Sequence, residues 1–90
     1  MKFAWDAAKA AANVRKHNVT FEEASSVFLD PLSATGADPD HSIGEARWLT
    51  FGLSRLGRIL VVSHSDRRDT VRIISARLCT TVEKKLYEKG

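Results

Sequence analysis

The sequence predicts a compact α+β fold in one domain that spans residues 1–90. Two helical segments come first, three extended segments follow, and a last helix closes the chain. Helices and strands that are grouped in this way, instead of alternating, are typical of α+β proteins with an antiparallel sheet. Ninety residues, of which 43% are hydrophobic, are sufficient for one small core.

The N-terminal part of the chain contains a short strand and two helices. Residues 1–5 alternate between large apolar and other side chains, which predicts a strand that joins the sheet. Asp6 is suited to cap a helix over residues 7–17, and Asn18 can adopt the left-handed conformation that ends it. A capping box at residues 20–23 (Thr-Phe-Glu-Glu) starts the second helix. We expect both helices to pack on one face of the sheet.

Three extended segments follow, at residues 46–53, 58–64 and 70–76. The residues between them have lengths and types suited to hairpin loops. The second segment contains four consecutive apolar residues, which predicts a central strand. The third contains Ile73 and Ile74, whose side chains point to opposite faces, so we expect that strand to be covered on both sides.

The remaining segments are a loop and a helix. Residues 32–35 can form a short strand, and residues 36–44 are dense in turn-forming residues. A second capping box, Thr-Thr-Val-Glu at residues 80–83, opens a helix that runs to about residue 89.

Positive charge is concentrated in the second half of the chain. Residues 1–45 carry a net charge of −3 and residues 46–90 a net charge of +6, and seven of the ten cations in the latter half are arginines. Such a half favours a polyanion or an acidic protein as partner. Arg72 and Arg77 lie on or beside the last predicted strand, and a guanidinium fork suits phosphate oxygens. The alternative is that they pair with structural carboxylates.

Several classes of function are disfavoured. The three histidines and the single cysteine are scattered, which predicts no metal site and no disulfide within the chain. There is no glycine-rich phosphate loop, and no cofactor is expected. No apolar run approaches the roughly 20 residues of a membrane helix. We therefore expect a cytoplasmic protein without a membrane partner.

A phosphodiester-cleaving site is compatible with the residues present. RNA cleavage without a metal requires a base near the 2′-hydroxyl, an acid for the 5′-oxygen and cations for the phosphorane charge. Each candidate also has a structural interpretation, such as a capping carboxylate, a packed tyrosine or a solvated histidine. The catalytic candidates are His41, Glu45, His64, Arg72, Arg77 and Glu83. The candidates for RNA binding are Arg47, Arg67, Arg68 and Tyr87.

A series of short motifs, each present once, follows in order along nearly the whole chain. They are Phe3-Ala-Trp5-Asp6-Ala-Ala-Lys9, Asn13, Lys16-His17, Phe21-Glu22-Glu23-Ala24, Val27-Phe28-Leu-Asp30-Pro31, Asp40-His41-Ser42-Ile-Gly44-Glu45-Ala-Arg47, Gly52-Leu-Ser54, Gly57-Arg58, Arg72-Ile-Ile-Ser-Ala-Arg77, Glu83 and Tyr87. In their order and spacing, the sequence resembles the BrnT family of toxins from bacterial type II toxin–antitoxin systems.

The resemblance implies a RelE-like fold and a metal-independent endoribonuclease that blocks translation. It also implies neutralisation by a BrnA-like antitoxin, and the complex would contact operator DNA only through that antitoxin. Assembly as a homodimer or as a heterotetramer with the antitoxin stays open. Arg72 and Arg77 would stabilise phosphate, with Arg47 as a third cation. His41, Glu45, His64 or Glu83 would transfer protons, in an undetermined order. The alternative is a non-catalytic basic module that only binds an antitoxin or an operator complex.

Overall fold

The computed structural model describes residues 1–41 and 44–89, with the side chain of His41 excepted. The elements are β1 (Lys2–Ala4), α1 (Ala7–His17), α2 (Phe21–Ser26), β2 (Ala34–Ala37), β3 (Trp48–Leu53), β4 (Ile59–Arg67), β5 (Thr70–Leu78) and α3 (Thr81–Lys89). Short 3₁₀ turns follow α2 at Val27–Leu29 and β2 at Pro39–His41. Five strands and three helices in this order confirm the predicted α+β class.

The strands form one sheet in the order β1-β5-β4-β3-β2. The pairs from β2 to β5 are antiparallel, as predicted, but β1 pairs with β5 in parallel. The predicted strand within residues 1–5 does join the sheet, but the sheet is mixed, and the prediction of an antiparallel sheet is wrong at this edge. The intervening helices and strands give the chain enough length to return in the same direction, which parallel pairing requires.

The hairpin between β4 and β5 is longer than predicted. The sequence indicates a loop from residue 65 to residue 69, yet Arg67 pairs with Thr70 and only Arg68 and Asp69 form the turn. Arg68 has a φ of 55°, in the left-handed region that suits the first position of a tight turn. The polar side chains of this segment suggested a loop. The end of a strand that is exposed to solvent can nevertheless carry polar side chains and still pair with its neighbour.

The core lies between the helices and one face of the sheet. Helices α1 and α2 both pack on β5. Its buried apolar side chains are Val19, Phe21, Ala24 and Val27 from the helical side and Leu60, Val62, Val71, Ile73 and Ala76 from the sheet. The other face of β5 is open at Arg72, which is exposed, and at Ile74, which lines a cleft. The expectation that this strand is covered on both faces is therefore wrong.

Local signals determine where the helices begin and end. The Asp6 carboxylate accepts a hydrogen bond of 2.9 Å from the Lys9 N–H, and Asn18 ends α1 with a φ of 55°. The buried side chain of Asn13 then joins α1 to β5, since its amide donates to Ala76 O at 2.8 Å and its oxygen accepts from Ala76 N at 3.1 Å. Both predicted ends of α1 are confirmed.

Candidate functional site

A β-bulge places two arginines of β5 on the same face of the sheet. Arg72 and Arg77 are five positions apart, so regular alternation would direct them to opposite faces. The register between β4 and β5 shifts by one residue between them. Arg72 therefore lies opposite Ser65 and Arg77 opposite Val61, and these two β4 residues share a face. Four residues along β4 separate the two arginines by about 14 Å.

The face that carries Arg72 forms a cleft of about 370 Å³, within the size range of small-ligand pockets. We call it the arginine cleft; the residues that line it in the described part of the chain are Lys9, Asp40, Glu45, Arg47, Ser65, Arg72 and Ile74. Three of them are cations and two are carboxylates. The cleft thus brings together three of the ten predicted site residues, Glu45, Arg47 and Arg72.

The contribution of the N-terminal helix to this cleft was not predicted from the sequence. Lys9 reaches it because β1 pairs with β5 in the register Ala4–Arg72, which places the start of α1 beside the cleft. That pairing is long-range and parallel, so the local spacing of residues does not indicate it. The one signal in the sequence is a lysine in the first turn of a helix, where a cation is electrostatically unfavourable.

Glu45 is the best-oriented carboxylate of the cleft. Arg67 donates to both of its oxygens, from Nε at 2.9 Å and from Nη2 at 2.8 Å. These bonds hold the pKa of Glu45 below its usual range, assisted by the Ser65 hydroxyl and by the charge of Arg72. Glu45 is thus an ionised carboxylate that is hydrogen-bonded by Arg67 and lies near Arg72. Arg72 itself has no carboxylate hydrogen bond among the described residues.

His64 lies on the other side of the sheet, away from the cleft. It is almost fully buried and packs edge-on against the Phe28 ring at a centroid distance of 4.9 Å. Its Nε2 and Thr50 Oγ1 are 2.7 Å apart, and its Nδ1 and Asp66 Oδ1 are 2.8 Å apart. Thr50 in turn contacts Thr35 Oγ1 at 2.7 Å, so His64 belongs to a polar chain that crosses three strands.

Arg77 and Glu83 form a bidentate ion pair where β5 meets α3. Arg77 donates from Nη1 at 2.7 Å and from Nη2 at 2.9 Å, and the Thr80 N–H donates to the same carboxylate at 2.8 Å. The pKa of Glu83 falls to about 2, chiefly because of Arg77. Neither residue lines the arginine cleft. The structural alternative stated for this pair is the one that the geometry supports.

The other predicted RNA-binding residues also lie outside the cleft. The Tyr87 hydroxyl donates a hydrogen bond to Asp30 Oδ2, and this bond raises the pKa of Tyr87 to about 12. Arg68 occupies the hairpin turn, and Arg67 acts on the cleft only through Glu45. The side chain of His41 is outside the described residues, so its predicted role stays a prediction.

Two further findings concern metals and membranes. In residues 1–41 and 44–89, apart from the His41 side chain, no group of three or more His, Cys, Asp or Glu side chains is placed to hold a metal ion. Within the same part of the chain, no helix has the length and apolar character needed to cross a bilayer.

Comparison with known proteins supplies a family. Residues 5–83 match the family model described as "Ribonuclease toxin, BrnT, of type II toxin-antitoxin system". A crystal structure of the Brucella abortus ribonuclease toxin BrnT is similar in fold, with a TM-score of 0.65 and 20% sequence identity. The similarity covers 90% of this chain and 99% of that one. No curated protein matches the chain in sequence.

Proposed function

Given that this chain belongs to the BrnT family of ribonuclease toxins of type II toxin–antitoxin systems, we propose that it cleaves RNA in the arginine cleft without a metal ion. The observation that supports this site is the juxtaposition of an ionised Glu45, hydrogen-bonded by Arg67, with the guanidinium groups of Arg47 and Arg72. A carboxylate and two cations in one cleft supply the base and the charge stabilisation for transesterification at a ribose phosphate.

Each group has a role in this proposal. Glu45 accepts the proton of the 2′-hydroxyl; its lowered pKa makes it a weak base but keeps it ionised at neutral pH. Arg72 and Arg47 bind the non-bridging oxygens and stabilise the charge of the phosphorane. His41, four residues before Glu45, is the candidate acid for the 5′-oxygen.

Metal independence follows from the supply of fixed charge. In metal-dependent nucleases the ion neutralises the transferring phosphate and generates the nucleophile. Here the substrate carries its own nucleophile in the 2′-hydroxyl, and the cleft supplies Arg47 and Arg72 as cations. A metal ion is therefore redundant for this reaction.

The remaining candidates take structural roles in this proposal. Arg77 and Glu83 tether α3 to β5, and Tyr87 tethers the end of α3 to Asp30. His64 links β4 to β3 inside the sheet. We further propose the RelE-like fold relationship and a block of translation in the cytoplasm through loss of intact RNA.

We propose that the antitoxin partner is BrnA-like and covers the arginine cleft. Three cations in a cleft bind an acidic segment as readily as they bind RNA. An antitoxin that presents carboxylates to Arg47 and Arg72 would exclude the substrate. Operator DNA would be contacted by the antitoxin and not by this chain.

The second candidate is a non-catalytic module, because the same cations would serve to bind an antitoxin without any chemistry. Incubation of purified protein with a single-stranded oligoribonucleotide in EDTA separates the two functions. Cleavage in EDTA that is lost in Glu45→Gln and retained in the matched control Glu88→Gln is expected for the enzyme. Cleavage only after metal is added would overturn the mechanism. Intact RNA both in EDTA and with added metal would favour the non-catalytic binding module.

A further inference from the structure

The proposed reaction does not explain why α1 contributes a lysine to the arginine cleft. Lys9 lies in the first turn of α1, three residues after the capping Asp6, and there is no acidic residue in that turn. A cation at this position opposes the helix dipole, and a glutamate or glutamine would complete a capping box with the N-cap residue. The charge of Lys9 therefore reduces the stability of α1. Residues that reduce stability in this way are frequent at functional positions.

The position of Lys9 in the cleft indicates what the charge is for. Arg47 precedes β3, whereas Lys9 follows β1, and the sheet order places β5 and β4 between those strands. The two cations therefore belong to opposite sides of the cleft. Glu45 is held by Arg67 and Ser65 of β4, so the proposed base lies on the side of Arg47.

We infer that Lys9 forms a subsite for an RNA phosphate that neighbours the scissile one. This inference rests on the proposed ribonuclease function, and it assigns to Lys9 the binding of the strand and not the chemistry. An ammonium on a flexible stem suits this task, because it acts as a point charge and imposes no fixed geometry on a strand of varying sequence. No salt bridge joins Lys9 to a carboxylate in the part of the chain that the structure describes.

The test uses the full chain and three variants. Lys9→Gln removes the charge, Lys9→Arg keeps it, and Lys16→Gln removes an exposed lysine from the other end of the same helix. Binding is measured with a 2′-O-methyl single-stranded oligoribonucleotide, which cannot be cleaved, over a range of salt concentrations. Cleavage kinetics are measured with the unmodified strand, and unfolding midpoints are recorded for each variant.

We expect Lys9→Gln to weaken binding by about 5- to 10-fold. The slope of log K against log salt should become less negative by about 0.7, as for the loss of one phosphate contact. KM should rise with kcat within about twofold, because the contact is equally strong in the ground and transition states. The unfolding midpoint should stay the same or rise by about 2–5 °C. Lys9→Arg and Lys16→Gln should both bind like the wild type.

Three results would overturn the inference: unchanged affinity and salt slope in Lys9→Gln, an equal loss in Lys16→Gln, or a fall in kcat that matches the fall in kcat/KM. A wild-type protein that cleaves no RNA would refute the proposed function instead. Because the binding measurement uses an uncleavable strand, it still decides the role of Lys9 in that case.

Discussion

Replacing Arg72 and Arg77 individually by alanine should separate function from stability. The two arginines share a face of the sheet, but Arg77 is bound by Glu83 and Arg72 has no carboxylate hydrogen bond among the described residues. We expect Arg72→Ala to lose RNA cleavage with an unchanged free energy of unfolding. Arg77→Ala should lose stability and retain cleavage in proportion to the folded fraction.

The size of each effect follows from the contacts. A fall in the pKa of Glu83 from 4.5 to about 2 corresponds to about 3 kcal/mol of stabilisation of the carboxylate. Thr80 supplies part of it, and the Arg77 side chain is 42% exposed, so screening by water reduces its own share to about 1–2 kcal/mol. For a 90-residue chain this lowers the unfolding midpoint by about 5–10 °C.

Arg72→Ala should have the opposite profile. The side chain is exposed, so its loss should change stability by less than about 0.5 kcal/mol. If Arg72 stabilises the phosphorane, cleavage should fall by about 100-fold or more. Urea unfolding and single-turnover cleavage on the same preparations test both statements, with Arg15→Ala on the exposed surface of α1 as control. Equal destabilisation in both variants, or full activity in Arg72→Ala, would refute this reasoning.

Three further predictions follow from single contacts. Because the pKa of Glu83 is lowered, the stability contributed by its ion pair is complete above pH 4.5 and is lost as the pH falls toward 2. The difference in unfolding free energy between wild type and Glu83→Gln should therefore shrink from pH 7 to pH 3. Gly52→Ala should cost about 1–3 kcal/mol, because a Cβ there would lie 2.7 Å from Val27 Cγ1, and this cost should be smaller when it is measured by urea unfolding in a Val27→Ala background. Arg68→Asn should stabilise by about 0.5–1 kcal/mol, because asparagine tolerates a φ of 55° better than arginine does; a loss of cleavage in this stable variant would return Arg68 to the RNA-binding residues.

The elements of the fold could be predicted from local signals. The capping residues are sufficient to predict where the first two helices begin. Asp6 and Thr20 each accept a hydrogen bond from a backbone N–H only three residues away, so the signal is local. The central position of β4 follows from its apolar run, which needs covering on both sides. Errors occurred where polar residues continue a strand, as at Ser65–Arg67, since polarity indicates exposure and not the absence of pairing.

The site was harder to predict because long-range pairing assembles it. Glu45 and Arg67 form their ion pair across 22 residues of sequence, and Lys9 enters the cleft through the parallel pairing of β1. No spacing rule connects these residues. His64 is ambiguous for the opposite reason: it ends an apolar strand, and a histidine there fits a buried structural network as well as it fits a catalytic cleft.

The β-bulge of β5 explains why the Arg72–Arg77 segment suggested one anion site but contains two different environments. Without the bulge, the odd spacing would send one arginine into the face that packs against the helices, where an unpaired charge is strongly unfavourable. With it, both reach the open face, about 14 Å apart along β4. One then meets Glu83 at the start of α3, and the other meets Glu45 and Arg47 in the arginine cleft. The same residue type thus lies in two environments, because α3 supplies the partner of Arg77 and the segment before β3 supplies the neighbours of Arg72.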